Sequence, residues 1–208
     1  MRRVYLMIFM VLFGLSAKAQ SDDICPDNKH PHVIDMGLPS GTKWACCNIG
    51  ASSPEGYGGY FAWGERRERE YYNKRSLSEK FIGYYHIGDD IAGTRFDAAR
   101  YRWGSPWRMP TYEQFMELVL FCTMTWTTRN GVNGTLLTGP NGGMIFLPAA
   151  GDRWDTSLLR EGEVGYYWSS TLRPYGEGRA YGFDFYSGHW ILDDGIRGNG
   201  HSVRAVRP

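Results

Sequence analysis

Any chemistry in this chain would have to come from five histidines, three pairs of adjacent aspartates and four cysteines. His30, His32, His86, His189 and His201 are scattered, with no i, i+4 pair that would set two imidazoles on one helix face for a metal. There is no Gly-x-Ser-x-Gly elbow, no His-Glu-x-x-His and no phosphate loop. The carboxylate pairs are Asp22-Asp23, Asp89-Asp90 and Asp193-Asp194. Asp193-Asp194-Gly195 followed by Asn199 is rich in hard oxygen ligands, and calcium is the ion it would take. The spacing is not that of an EF-hand, and Asp-Gly also marks a solvated hairpin tip. Catalysis would therefore need a set assembled only in space, such as His189 or His201 with Asp193-Asp194. The expectation is a non-catalytic protein without a cofactor, with calcium the one candidate ion.

Cys25, Cys46, Cys47 and Cys122 allow three pairings. Cys46 and Cys47 are neighbours in a strand-like stretch and would point to opposite faces, so they serve different partners. Cys122 falls on the apolar stripe of a helix and needs an inward-facing partner. The expected bonds are Cys47 with Cys122 and Cys25 with Cys46, and buried free thiols are the alternative. No C-x-x-C spacing supports zinc or a redox pair.

The elements that would position these groups can be read in order. Arg2 and Arg3, an uncharged run from Val4 to Leu15 and Ala17-Lys18-Ala19 form a signal-peptide pattern over 1–19. The run is too short to span a bilayer, which takes ~20 residues, so no transmembrane anchor is expected after its removal. Residues 20–31 read as a flexible arm and 32–208 as one domain. The near-neutral net charge of +1 and the lack of a basic stripe argue against nucleic acid and anionic membranes. A hairpin is expected over His32–Met36 and Lys43–Ile49, turning at Leu38-Pro39-Ser40-Gly41. Tyr60–Trp63 is a further strand candidate, and Glu65–Lys74 is charged without periodicity. A short helix is expected at Asp97–Arg102. A longer one starts at Thr111, where Thr111 and Gln114 form a capping box and Phe115, Leu118, Val119 and Cys122 form one stripe. From Trp126 onward short strands alternate with turns at Asn130-Gly131, Asn133-Gly134, Asn141-Gly142-Gly143 and Ser187-Gly188. Asn133-Gly134-Thr135 is also a glycosylation sequon, read here as a turn. Strands are expected at Leu136–Thr138, Met144–Leu147, Gly165–Ser169, Ala180–Phe185, Trp190–Leu192 and Ser202–Val206.

A set of phrases carries a resemblance. Val33-Ile34-Asp35-Met36-Gly37-Leu38-Pro39-Ser40-Gly41-Thr42-Lys43-Trp44-Ala45, Tyr60-Phe61-Ala62-Trp63-Gly64-Glu65, Trp107-Arg108-Met109-Pro110-Thr111, Ile145-Phe146-Leu147-Pro148-Ala149-Ala150-Gly151, Tyr167-Trp168-Ser169-Ser170 and Ser202-Val203-Arg204 resemble, in this order, the Fibrobacter succinogenes major paralogous domain family. That family is distantly similar to the C-type-lectin-like fold of the formylglycine-generating enzyme. The resemblance implies an α+β, C-type-lectin-like, loop-rich fold in an exported periplasmic, cell-surface or secreted protein. It implies adhesin-like or pilus-tip-like modules rather than the enzyme's activity, whose cysteine pair lies near the C-terminus where this chain has none. The Glu-Pro-Asn, Gln-Pro-Asp and Trp-Asn-Asp triplets of calcium-dependent lectins are absent too. Cys46 departs from the family's usual Thr.

The expected function is therefore a recognition module for a glycan or an extracellular protein. The expected site lies on the late strands and loops, at Trp154, Asp155, Tyr175, Tyr181, His189, Trp190 and Arg197. A structural subunit of a pilus tip or envelope assembly, its arm donating a strand, is the second reading, and a hydrolase or metal-assisted enzyme the third.

Overall fold

A computed structural model describes residues 33–72, 86–175 and 178–208. The signal-peptide pattern, the arm, Cys25 and the end of the charged Glu65–Lys74 stretch lie outside the described residues. Strand β1 (Val33–Asp35) and strand β2 (Lys43–Asn48) form the expected opening hairpin. Gly41 closes its turn at φ 72°, donating its N–H to Leu38 O at 2.9 Å. Helix α1 (Ala98–Trp103) is capped by Asp97, and helix α2 (Tyr112–Phe121) by the Thr111–Gln114 capping box. Then come β3 (Thr123–Arg129), β4 (Val132–Thr138), β5 (Met144–Pro148), β6 (Asp152–Trp154), β7 (Ser157–Leu159), β8 (Val164–Leu172), β9 (Arg179–Tyr186), β10 (His189–Ile196) and β11 (Arg204–Arg207). The result is a set of small antiparallel sheets with few helices: β1-β2-β11, β10-β9-β8, β3-β4-β5 and the pair β6-β7. Among the described residues no helix is long and apolar enough to cross a membrane.

Three sequence expectations change. Tyr60–Trp63 makes only an isolated bridge, Phe61 to His201, because its neighbours are loops rather than a strand edge. Asn133-Gly134 is not a turn but part of β4; Gly134 is there because β5 passes so close that a Cβ would lie 2.3 Å from Leu147 O. Asp193-Asp194 is not a hairpin tip: β10 runs on past it, and the β9 ladder holds both residues, Asp193 opposite Gly182 and Asp194 opposite Tyr181. The turn at Asn130-Gly131 is as expected, with φ 49° and 82°, the two positive values of a type I′ hairpin.

Packing explains why these sheets hold together. The α2 stripe places Phe115 between Trp44 of β2 and Phe183 of β9, with Leu118 buried in the same core. Trp168 and Trp63 are fully buried and donate their indole N–H groups to Phe61 O and Ser169 O, both at 2.8 Å. Fully buried Arg204 donates Nε to Asn48 Oδ1 (2.9 Å), Nη1 to Ala45 O (3.1 Å) and Nη2 to Phe146 O (2.8 Å). One guanidinium thus ties β11 to β2 and β5. Arg108 joins Val206 through its backbone, while its buried Nε has no hydrogen-bond partner.

Candidate functional site

A pocket of about 150 Å³ opens where the end of α2, the β3–β4 hairpin and the β9–β10 turn converge. Val119, Cys122, Met124, Trp126, Thr135, Gly188, His189 and Trp190 line it. Cross-strand partners share a side of the sheet, so Trp190, opposite Phe185, projects toward the α2 side. It lies beyond the cover of the core, and 48% of its surface is exposed. Trp126 stands edge-on to Phe185 with centroids 6.4 Å apart, so the second indole is fixed by packing. The His189 ring stacks on Tyr186 at 5.1 Å. Cys122 caps α2, and its thiol is pushed up to about 11 by burial and by Glu117. The lining thus combines indole faces, a hydroxyl and a thiol and holds no carboxylate, while the His189 ring, stacked on Tyr186, turns to the other side of the sheet from Trp190.

The expected site residues divide into five places. His189 and Trp190 come together on the pocket. Tyr181 stands on the same side of the sheet, packed on Tyr112 at 4.6 Å. Tyr175 is fully exposed in the β8–β9 connection. Trp154 and Asp155 are half-buried at the β6–β7 turn, where Asp155 (φ 51°) exchanges backbone hydrogen bonds with Tyr72. Arg197 is not on an exposed face: only 1% of it is accessible, its guanidinium lies 4.5 Å from the Trp63 ring, and burial pulls its pKa down to about 10. Trp126, Met124 and Thr135 were missed by sequence reasoning. The alternation of Thr123, Thr125 and Thr127 with Met124 and Trp126 was the signal for them.

The calcium expectation does not gather its ligands. The Asp194 carboxylate accepts from Arg179 and, at 2.8 Å, from Arg173, and two guanidinium charges oppose a cation there. Asp193 is on the other side of the strand, and the buried Oδ1 of Asn199 has no hydrogen-bond partner. Among the described residues no group of three or more His, Cys, Asp or Glu could hold a metal. Cys122 is a free thiol, so the Cys47–Cys122 bond is not formed: Cys122 caps α2 at the pocket, whereas Cys47 is buried at Ala51, its thiol reaching Ala51 O at 3.5 Å. The other expected bond rests on Cys25, outside the described residues. His201 stacks on Trp168 at 4.0 Å, and burial drops its pKa to about 3; no carboxylate accepts from its buried Nδ1.

Asp184 faces Asp193 and Asp152 on the opposite side of the late sheet. Burial first, then those two carboxylates, pushes its pKa up to about 8 against the pull of Arg160. No family model, no curated protein and no solved structure matches this chain.

Proposed function

We propose that this chain is an exported, adhesin-like recognition module that holds one sugar ring of a glycan in the Trp126–Trp190 pocket. The observation that carries the reading is Trp190, half-exposed beside a second indole fixed by packing. About 150 Å³ is the room of one six-membered ring. An indole face takes the C–H face of a sugar, and the Thr135 hydroxyl supplies a polar edge. A C-type-lectin-like scaffold agrees with the return of β11 onto β2 and with a separate sheet of late strands. The test is a glycan and matrix-protein array probed with the mature protein and with Trp190→Ala, with and without calcium. The variant loses roughly 30-fold or more, the effect of removing a hot-spot aromatic. Calcium makes no difference. Binding that survives the substitution refutes the assignment of the pocket.

A second reading rests on β10, which ends its sheet and exposes His189, Trp190 and Ile191. A strand from a neighbouring chain would extend such an edge, as in a pilus-tip or envelope assembly. Light scattering before and after deletion of residues 20–31 tests it; a monomer in both cases counts against it.

A further inference from the structure

The fold gathers arginines that are far apart in the sequence. The guanidinium carbon of Arg66 lies 4.5 Å from the centre of the Tyr101 ring, and that of Arg67 lies 5.9 Å from it. Arg67 Nη2 also donates to the Tyr101 hydroxyl at 3.0 Å. Arg102, the next residue on α1, adds its charge, and with Arg67 and Arg66 it pulls the phenol below its ordinary pKa. All four side chains are exposed. Among the described residues none of these arginines joins an ion pair. The nearby acids are engaged elsewhere. Glu65 binds Arg69. The Glu68 carboxyl lies over Gly59. Asp97 is buried, accepting the N–H groups of Gly93, Arg100 and Met109 at 2.7–2.9 Å. That last contact, with Ala98 and Ala99 buried beneath, fixes α1 and therefore the platform. Two like charges on one ring repel each other, and a cation–π contact at an exposed site offsets only about 0.5–1 kcal/mol. Among the described residues no carboxylate lies within ion-pair distance of these arginines.

We propose that Arg66 and Arg67, ordered on Tyr101, with exposed Arg102 next to that ring on α1, form a binding surface for an anionic polysaccharide bearing sulfate or carboxylate groups. The surface is independent of the Trp190 pocket. A guanidinium fork matches the paired oxygens of carboxylate and sulfate. A nucleic acid fits less well. Its hold at physiological salt comes from roughly 6–10 phosphate contacts, and this chain, at net charge +1, adds no long-range field to three guanidinium groups. An acidic protein would need an apolar anchor, and Arg66 and Arg67 already lie over the one ring present. A repetitive anionic chain gains by engaging the surface many times along its length.

The test is binding of the purified protein to heparin and to polygalacturonate over a salt series, with neutral dextran, single-stranded DNA and polyglutamate as comparators. The expected result is binding to both anionic polysaccharides and not to dextran, with weaker binding to DNA and polyglutamate. In Arg66→Ala/Arg67→Ala the slope of log affinity against log salt falls by roughly 1.5, about 0.7–0.9 for each lost contact. Trp190→Ala leaves this binding unchanged, which separates it from the pocket. Both arginines are exposed, so the double variant keeps its fold, checked by circular dichroism. No binding at low salt, binding that the double variant retains, or tighter binding to DNA or polyglutamate each overturns the proposal.

Discussion

Replacing Arg204 with alanine tests whether the fold hangs on one buried guanidinium. The side chain is fully buried and makes three hydrogen bonds, to Asn48, Ala45 and Phe146. A bond to a charged group contributes about 1.5–3 kcal/mol, so the gross loss is roughly 4.5–9 kcal/mol. The variant also no longer keeps a cation out of water, a saving of several kcal/mol. It leaves two carbonyls and an amide oxygen buried without partners. The expected net loss is about 4 kcal/mol, a large part of the ~5–15 kcal/mol that holds a domain. At ~2–4 °C per kcal/mol for a chain of this size, Tm falls by about 8–16 °C. Arg204→Lys keeps the charge but loses the fork, so it recovers less than half of the loss. Urea unfolding followed by tryptophan fluorescence reads all three proteins. A loss under about 1 kcal/mol in the alanine variant would refute the reasoning, because satisfied carbonyls would then not depend on this side chain.

Stability should fall as pH rises from about 6.5 to 8. Asp184 keeps its proton in the folded protein up to about 8 and loses it near 4 when unfolded, so the native state binds the extra proton in that window. His201, folded pKa about 3, is neutral in the native state, while its unfolded imidazole is half protonated at about pH 6.5 and partly opposes the fall at that end of the window. Asp184→Asn should remove the fall measured by urea midpoint; a flat wild-type curve would contradict the burial of Asp184. Gly134→Ala should cost about 3 kcal/mol by chemical denaturation, since its Cβ meets Leu147 O and the Phe146 ring; a cost under about 1 kcal/mol would mean that β4 and β5 can separate freely. Cys122, with its thiol pushed up to about 11, should be alkylated by iodoacetamide at pH 8 roughly 100-fold more slowly than a free thiol. Comparable rates would show that the pocket wall is open.

Local signals were the legible part of the sequence. The capping box at Thr111, the opening hairpin and the Asn130-Gly131 turn are each specified by a few adjacent residues, and each forms as read. Trp190 and His189 were picked from the sequence as part of the late-strand and loop face, and both border the pocket. What the sequence hid was decided by distant neighbours. Asp-Gly at 194–195 marks a turn locally, but β9 offers a ladder partner to each residue and Arg173 and Arg179 neutralise Asp194. Arg197 resembles a surface cation until Trp63 covers it. The arginines at 66, 67 and 102 form no stripe in the chain and meet only because α1 docks beside the loop after Trp63.

The order β1-β2-β11 has a mechanical consequence. Both outer strands run antiparallel to β2, so β1 and β11 are parallel to each other. Val33 opens one and Arg207 closes the other, two strand spacings apart, about 10 Å. A force pulling the chain at both points would draw the two strands in opposite directions along their length. The ladders would then be loaded in shear, with their hydrogen bonds sharing the load instead of opening one at a time. Tension would pass first through this one sheet, whose ladders lie apart from the β9–β10 pairing that carries Trp190.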